Sequence, residues 1–212
     1  MQGVVTLSAS YGALGDEVGR AVAGRLQLPF IERAVPTATS AQQLGLPEEV
    51  AESLEEHPPS GRQQTAAVFA SKGVPVGPVL RPADMVLTPA QFRSVTEAQL
   101  QHAADRTGAV VVGRAAMVVL GGRPDVLCVR LDGPVEARIA QVMAQGADEA
   151  TARQRQREVD GAREAYAQAF FNVRQDDPRL YHLILDSTVL SLEACVDIIV
   201  RAAQDRFGAA AS

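Results

Sequence analysis

The sequence predicts an α/β fold: a mostly parallel central sheet with helices on both faces. Two patterns predict it. Short apolar, β-branched runs alternate along the chain with segments of helical periodicity. Two of those runs, residues 109–112 and 126–131, are almost wholly apolar, as strands covered on both faces of a parallel sheet are. A chain of 212 residues fits one domain carrying an insertion. With 47% hydrophobic residues, 4% aromatic and no Trp, its core is built from Val, Leu, Ile and Ala.

The elements follow in order. Residues 3–8 (Gly-Val-Val-Thr-Leu-Ser) read as a buried strand, and Ser10-Tyr11-Gly12-Ala13-Leu14-Gly15 as a turn. From Asp16 the pattern is helical, with Val18, Ala21, Val22 and Leu26 on one face. Leu28 to Ile31 leads into a second strand. Residues 34–87 have a different texture, rich in proline, and read as a partly helical insertion outside the sheet. Thr88 reads as an N-cap with Pro89 at the first helical position. Phe92, Val95, Leu100 and Ala103 give the helix that follows an apolar side, and Gly108 ends it. Next come the strand 109–112 and the strand 126–131. Helices are expected over 134–145 and 148–172. Leu183-Ile184-Leu185 is a further strand, and 191–207 a closing helix with Leu192, Cys195, Val196, Ile199 and Val200 inward. The run Val118-Val119-Leu120 suits a dimer contact or burial against the sheet.

Composition narrows the class. The net charge of −5 argues against a general nucleic-acid binder, which carries a basic face. Lys72 is the only lysine among 20 basic residues, so cationic contacts to any anionic ligand fall to arginine. Cys128 and Cys195 sit in apolar runs and read as buried hydrophobes in a reducing compartment. No stretch has the length needed to span a membrane, and the N-terminus lacks a basic n-region; a soluble cytoplasmic protein is expected.

A glycine turn between a first strand and a first helix is where mononucleotide folds hold phosphate, because the helix start offers unpaired N–H groups and a positive dipole end. The full phosphate-loop pattern adds a lysine and a Ser/Thr after the second glycine. Here Gly12 and Gly15 are followed by Asp16 and Glu17. Acidic residues in a first helical turn are also ordinary dipole partners. Taken alone, the loop suits either an anion cradle or a plain turn.

Further motifs add to the loop, and together the sequence resembles the cytidylate kinase-like family, a branch of the nucleoside monophosphate kinases of the P-loop class. Ser8, Tyr11, Gly12, Gly15 and Glu17 match that family's Ser-Arg-Glu-Tyr-Gly-Ser-Gly-Gly-Arg-Glu type of loop; Ala9, Leu14 and Asp16 depart from it. The stretch 109–115 is similar to a strand ending in Gly-Arg, with Arg114 matching. Val112 and Ala115 stand where better-known members carry aspartates. Residues 126–142, with Asp132, Pro134, Glu136 and Arg138, resemble the strand-to-helix unit before the lid, and 181–193 the closing unit.

The resemblance implies a P-loop kinase-like three-layer fold in one domain, 1–212. It makes 34–87 a divergent insertion in the substrate-binding region and 148–180 an arginine-rich lid-like segment. It implies ATP and Mg²⁺ as cofactors, and a nucleotide or a small phosphorylated acceptor as partner, with neither nucleic acid nor membrane; a homodimer is open. Ser10, Tyr11, Gly12, Ala13, Gly15, Asp16 and Glu17 would hold phosphate, Arg114 the acceptor, and Glu17 the metal. Arg153, Arg157 and Arg163 would close over the transferred group, since bidentate arginine neutralises charge on a moving phosphoryl group. Two functions are carried forward: ATP-dependent phosphoryl transfer to a nucleoside monophosphate or similar acceptor, and a catalytically inactive binding or regulatory module.

Overall fold

The computed structural model describes residues 3–31, 89–113 and 115–210. The insertion 34–87, Thr88 and Arg114 lie outside the described residues, as do the side chains of Phe92 and Val95.

Among the described residues five parallel strands form one sheet: β1 (Val4–Ala9), β2 (Phe30–Ile31), β3 (Ala109–Val112), β4 (Val126–Asp132) and β5 (Leu183–Asp186). Their order is β2-β3-β1-β4-β5. In register, Val4 pairs Ala109 on one side and Val126 on the other, and Leu131 pairs Leu185. β1 is therefore central, with its neighbours reached by chain excursions in opposite directions. Crevices at the carboxyl ends of strands around such a reversal are where open α/β sheets bind ligands.

Among the described residues six α-helices pack around the sheet: α1 (Gly15–Leu26), α2 (Pro89–Arg106), α3 (Ala116–Leu120), α4 (Val135–Ala144), α5 (Glu149–Phe171) and α6 (Leu192–Ala210). Successive strand residues point to opposite faces, and the core divides accordingly. Val5, Leu7, Val129 and Leu131 pack with α1 and α6 through Val18, Val22, Ile199 and Phe207. Val4, Val111 and Cys128 pack with α2, α3 and α5 through Leu100, Met117 and Phe170. This is the three-layer α/β arrangement with helices on both faces.

Three sequence-level readings are refined. The run Val118-Val119-Leu120 lies in α3; Leu120 is fully buried and both valines pack against the second core cluster. Leu192 is exposed, because it opens α6 before the helix meets the sheet, whereas Cys195, Val196, Ile199 and Val200 are buried as expected. The polar helix begins at Glu149, where the Asp148 carboxylate accepts the Thr151 N–H at 3.0 Å, an ordinary N-cap. Among the described residues no helix is long and apolar enough to cross a membrane. Cys128 and Cys195 are both buried and free.

Candidate functional site

The turn after β1 is held by its carbonyls. Arg163 Nη1 donates to Ala9 O at 2.5 Å, and the Ala13 N–H to Ser10 O at 3.1 Å. Arg138 Nη1 donates to Tyr11 O at 2.6 Å, Gln141 Nε2 to Gly12 O at 3.0 Å, and Ser187 Oγ to Ala13 O at 2.9 Å. Every carbonyl from 9 to 13 thus has a donor. The N–H groups are treated differently. Ser10 N–H donates to Leu131 O, and Tyr11 N–H to Asp160 Oδ1 at 2.8 Å. The first bond of α1 runs from Val18 N–H to Leu14 O. Among the described residues the N–H groups of Gly12, Leu14, Gly15 and Glu17 have no acceptor.

Two glycines make this shape possible. Gly12 sits at φ 78°, and a Cβ there would lie 2.6 Å from the Arg138 carbonyl oxygen of α4. At Gly15 a Cβ would lie 2.5 Å from the Ala9 Cβ. Leu14 between them adopts the left-handed conformation at φ 57°, where the resembling loops have glycine; such a conformation costs a non-glycine residue about 1–2 kcal/mol.

Beside the turn lies an open cleft of about 340 Å³. Its walls include Ala9 and Ser10 of the loop, Arg130 and Asp132 of β4, Asp160, Arg163 and Glu164 of α5, and Arg174 to Asp176 beyond it. Arg130 is a buried cation: its Nη2 donates to Asp132 Oδ2 at 2.8 Å and to Ser10 Oγ at 3.1 Å, and its Nη1 to the Gln175 carbonyl at 3.1 Å. Burial alone would lower its pKa, but the Asp132 hydrogen bond and charge raise it above its ordinary value. Asp132 answers in kind. Burial opposes its ionisation, yet hydrogen bonds from Ser10 and Arg130 hold it below the usual carboxylate range.

Arg163 is different. The residue is exposed to solvent, while its guanidinium lines the cleft and bonds the Ala9 carbonyl. Burial is the main influence lowering its pKa, and Arg130 and Arg138 push the same way, against Asp160 and Asp16. It forms no ion pair within 4 Å among the described residues.

The structure therefore sorts the three α5 arginines expected at the site. Arg163 reaches the cleft. Arg153 does not: its Nη2 pairs with Glu136 at 2.7 Å and its Nε with Glu149 at 2.8 Å, on the exposed side of α4 and α5. Arg157 is exposed and does not line the cleft. Ser10, Tyr11, Gly12, Ala13 and Gly15 are brought together in the loop. Asp16 and Glu17 are exposed on the first turn of α1.

Two further residues belong to the site. Arg130 carried no role in the sequence, although a cation inside an apolar strand two residues before an aspartate on the same face is a legible signal of a buried pair. Arg138 matched a family position without a role. It is buried, and it bonds Gly133 O, Tyr11 O and Asp160 Oδ2 at 2.9, 2.6 and 2.9 Å.

The loop fits phosphate by its backbone, with unengaged N–H groups at a helix start. It does not fit by the usual lysine, since Asp16 follows Gly15. Hard oxygen donors suit Mg²⁺, which takes one or two carboxylates alongside ligand phosphates; Glu17 and Asp16 are the carboxylates on the loop's own helix. Among the described residues no cluster of three His, Cys, Asp or Glu could hold a metal.

Comparison with known proteins agrees with the architecture. A model of the cytidylate kinase-like family matches residues 4–189. No curated protein matches the sequence. Among solved structures, a protein of Eubacterium ventriosum described as uncharacterized is similar with a TM-score of 0.62 at 15% identity, over 96% of this chain and 99% of that one. The shikimate kinase of Bacteroides thetaiotaomicron aligns at a TM-score of 0.47 and 15% identity, over 94% and 97%. A gluconokinase of Sinorhizobium meliloti aligns at 0.45 and 17%, over 98% and 92%. At 15% identity the likeness to the Eubacterium ventriosum protein concerns the fold alone.

Proposed function

The chain belongs to the cytidylate kinase-like family, and from that premise we propose that it binds the phosphates of ATP against the 10–17 loop and transfers the γ-phosphoryl group to a nucleoside monophosphate or a similar small phosphorylated acceptor. One observation carries the reading: Arg163 stands in the cleft beside the loop, bonded to the Ala9 carbonyl and without an ion-pair partner among the described residues. A cation kept in a site that lowers its pKa, next to backbone N–H groups without acceptors, suits an incoming anion. Phosphoryl transfer needs positioning and neutralised charge more than it needs any one residue type. Arg163 is the side chain that supplies this charge in place of the loop lysine.

The other residues take their roles from this arrangement. Gly12, Leu14, Gly15 and Glu17 donate their N–H groups to phosphate. Glu17 would hold Mg²⁺, directly or through water, and the metal would supply positive charge to offset that of the phosphates. Arg114, at the position matching the family's Gly-Arg, holds the acceptor phosphate. The segment 148–180 acts as the lid, with Arg163 rather than Arg153 on its inner side.

A second reading, a nucleotide-binding module without turnover, is favoured by one feature. Asp16 and Glu17 put two carboxylates where a kinase of this class has a lysine and a hydroxyl. The experiment is titration with ATP and ADP, with and without Mg²⁺, followed by assay of phosphoryl transfer to a panel of nucleoside monophosphates. Turnover with any acceptor supports the kinase; binding without turnover supports the module. No nucleotide binding at about millimolar concentration, the weak end of useful affinity, sinks both.

A further inference from the structure

The Asp160 carboxylate occupies the loop as a ligand oxyanion would. Its Oδ1 accepts the Tyr11 N–H at 2.8 Å. Its Oδ2 accepts Arg138 Nη1 at 2.9 Å and Gln156 Nε2 at 3.0 Å. The receiving groups form a built site. Arg138, on α4, is 4% exposed, and the turn after β4 and the loop fix it through the Gly133 and Tyr11 carbonyls. A backbone N–H and a buried guanidinium aimed at one point make a receptor for one oxyanion, and charge-assisted bonds of this kind are short and strong. The anion they hold comes from α5, the helix that also carries Arg163.

We propose that Tyr11 N–H and Arg138 Nη1 form an oxyanion subsite that Asp160 and a phosphoryl group of the ligand occupy in turn. The claim deepens the nucleotide-binding reading and rests on it. Chemistry favours the exchange. Phosphate oxygens accept the same two donors, and a di- or triphosphate carries further oxygens for the loop N–H groups and Arg163, which a single carboxylate cannot reach. Asp160 in turn is the nearer of two carboxylates on Arg138, at 2.9 Å against 3.6 Å for Asp132, and so offsets part of the buried guanidinium's charge while no ligand is bound. The apparent affinity for ligand is reduced by the fraction of molecules in which Asp160 holds the subsite. Releasing Asp160 removes one attachment of α5 to the loop and leaves the Arg163 bond to the Ala9 carbonyl as another.

The test uses inorganic pyrophosphate as probe, with the full chain. Asp160→Asn keeps an oxygen for the Tyr11 N–H but loses the charge facing Arg138, so it should bind pyrophosphate about tenfold more tightly than the wild type, the scale of one charge-assisted hydrogen bond. Equal or weaker binding by the variant overturns the proposal. Should the variant fold poorly, the wild type answers alone. The ¹³C carboxylate resonance of Asp160 should shift when pyrophosphate saturates the protein, and a resonance that stays in place overturns the exchange. Arg163→Ala separates this claim from the reading beneath it. If Arg163→Ala weakens pyrophosphate binding while Asp160→Asn does not strengthen it, the phosphate site stands and the exchange falls. If no variant and no wild-type protein binds pyrophosphate, both fall.

Discussion

Arg130 and Asp132 lie two residues apart on β4, point to the same face of the sheet, and bond each other at 2.8 Å with the arginine side chain only 10% exposed. The pair ties the end of β4 to the loop through Ser10 Oγ, and to the segment after α5 through the Gln175 carbonyl. It thus forms the floor on which the candidate site rests.

This pair makes the protein acid-sensitive. The folded pKa of Asp132 is depressed, so its contribution is fully present above the unfolded-state value of about 3.9 and is lost as pH falls through the folded value. Asp132→Asn should cost about 1–3 kcal/mol at neutral pH, because Arg130 keeps its burial and loses its counter-charge. Wild type and variant should converge as the pH falls through the depressed folded-state value. Urea unfolding at a series of pH values checks this; a difference that stays constant with pH would show that the carboxylate charge is not what matters.

The arginines of α5 should separate by function. Arg163→Ala should weaken ADP binding about 10- to 100-fold, the effect of losing one or two charge-assisted bonds to phosphate. Arg153→Ala should leave binding within about twofold and stability within about 1 kcal/mol, since its partners Glu136 and Glu149 are exposed. Calorimetric titration of both variants checks the contrast. Similar losses in the two would return Arg153 to the site.

Close approach at Gly15 gives a stability prediction. Gly15→Ala places a Cβ 2.5 Å from that of Ala9, and such overpacking costs about 1–3 kcal/mol. Adding Ala9→Gly removes the obstructing methyl, so the double variant should be more stable than the sum of the single effects requires, with a coupling of about 1 kcal/mol or more. Thermal and urea melts of the four proteins in the cycle measure it. Strict additivity would mean that the loop shifts freely to make room.

Much of the architecture was legible because the sheet is parallel and covered on both faces. Ala109–Val112 and Val126–Leu131 read as continuous apolar runs, and both are buried strands. The loop was legible from Gly12 and Gly15. The site beside it was not, for two physical reasons. Arginines on a polar helix share one composition whether they face water or a cleft; Arg153 and Arg163 differ through partners on α4 and β1, which sequence spacing does not reveal. The Glu149–Arg153 pair, four residues apart on one helix, was the exception that local spacing could expose. Arg138 and Asp160, 22 residues apart, meet through the packing of α4 on α5. A helix read from one chain segment carries no signal for that meeting.

The bonded carbonyls of residues 9–13 have a thermodynamic consequence. A turn fastened from outside by Arg138, Gln141, Arg163 and Ser187 acquires its order when the chain folds. A ligand reaching its N–H groups then meets a surface already shaped, and the backbone entropy of these residues belongs to the folding equilibrium, leaving little of it to oppose association.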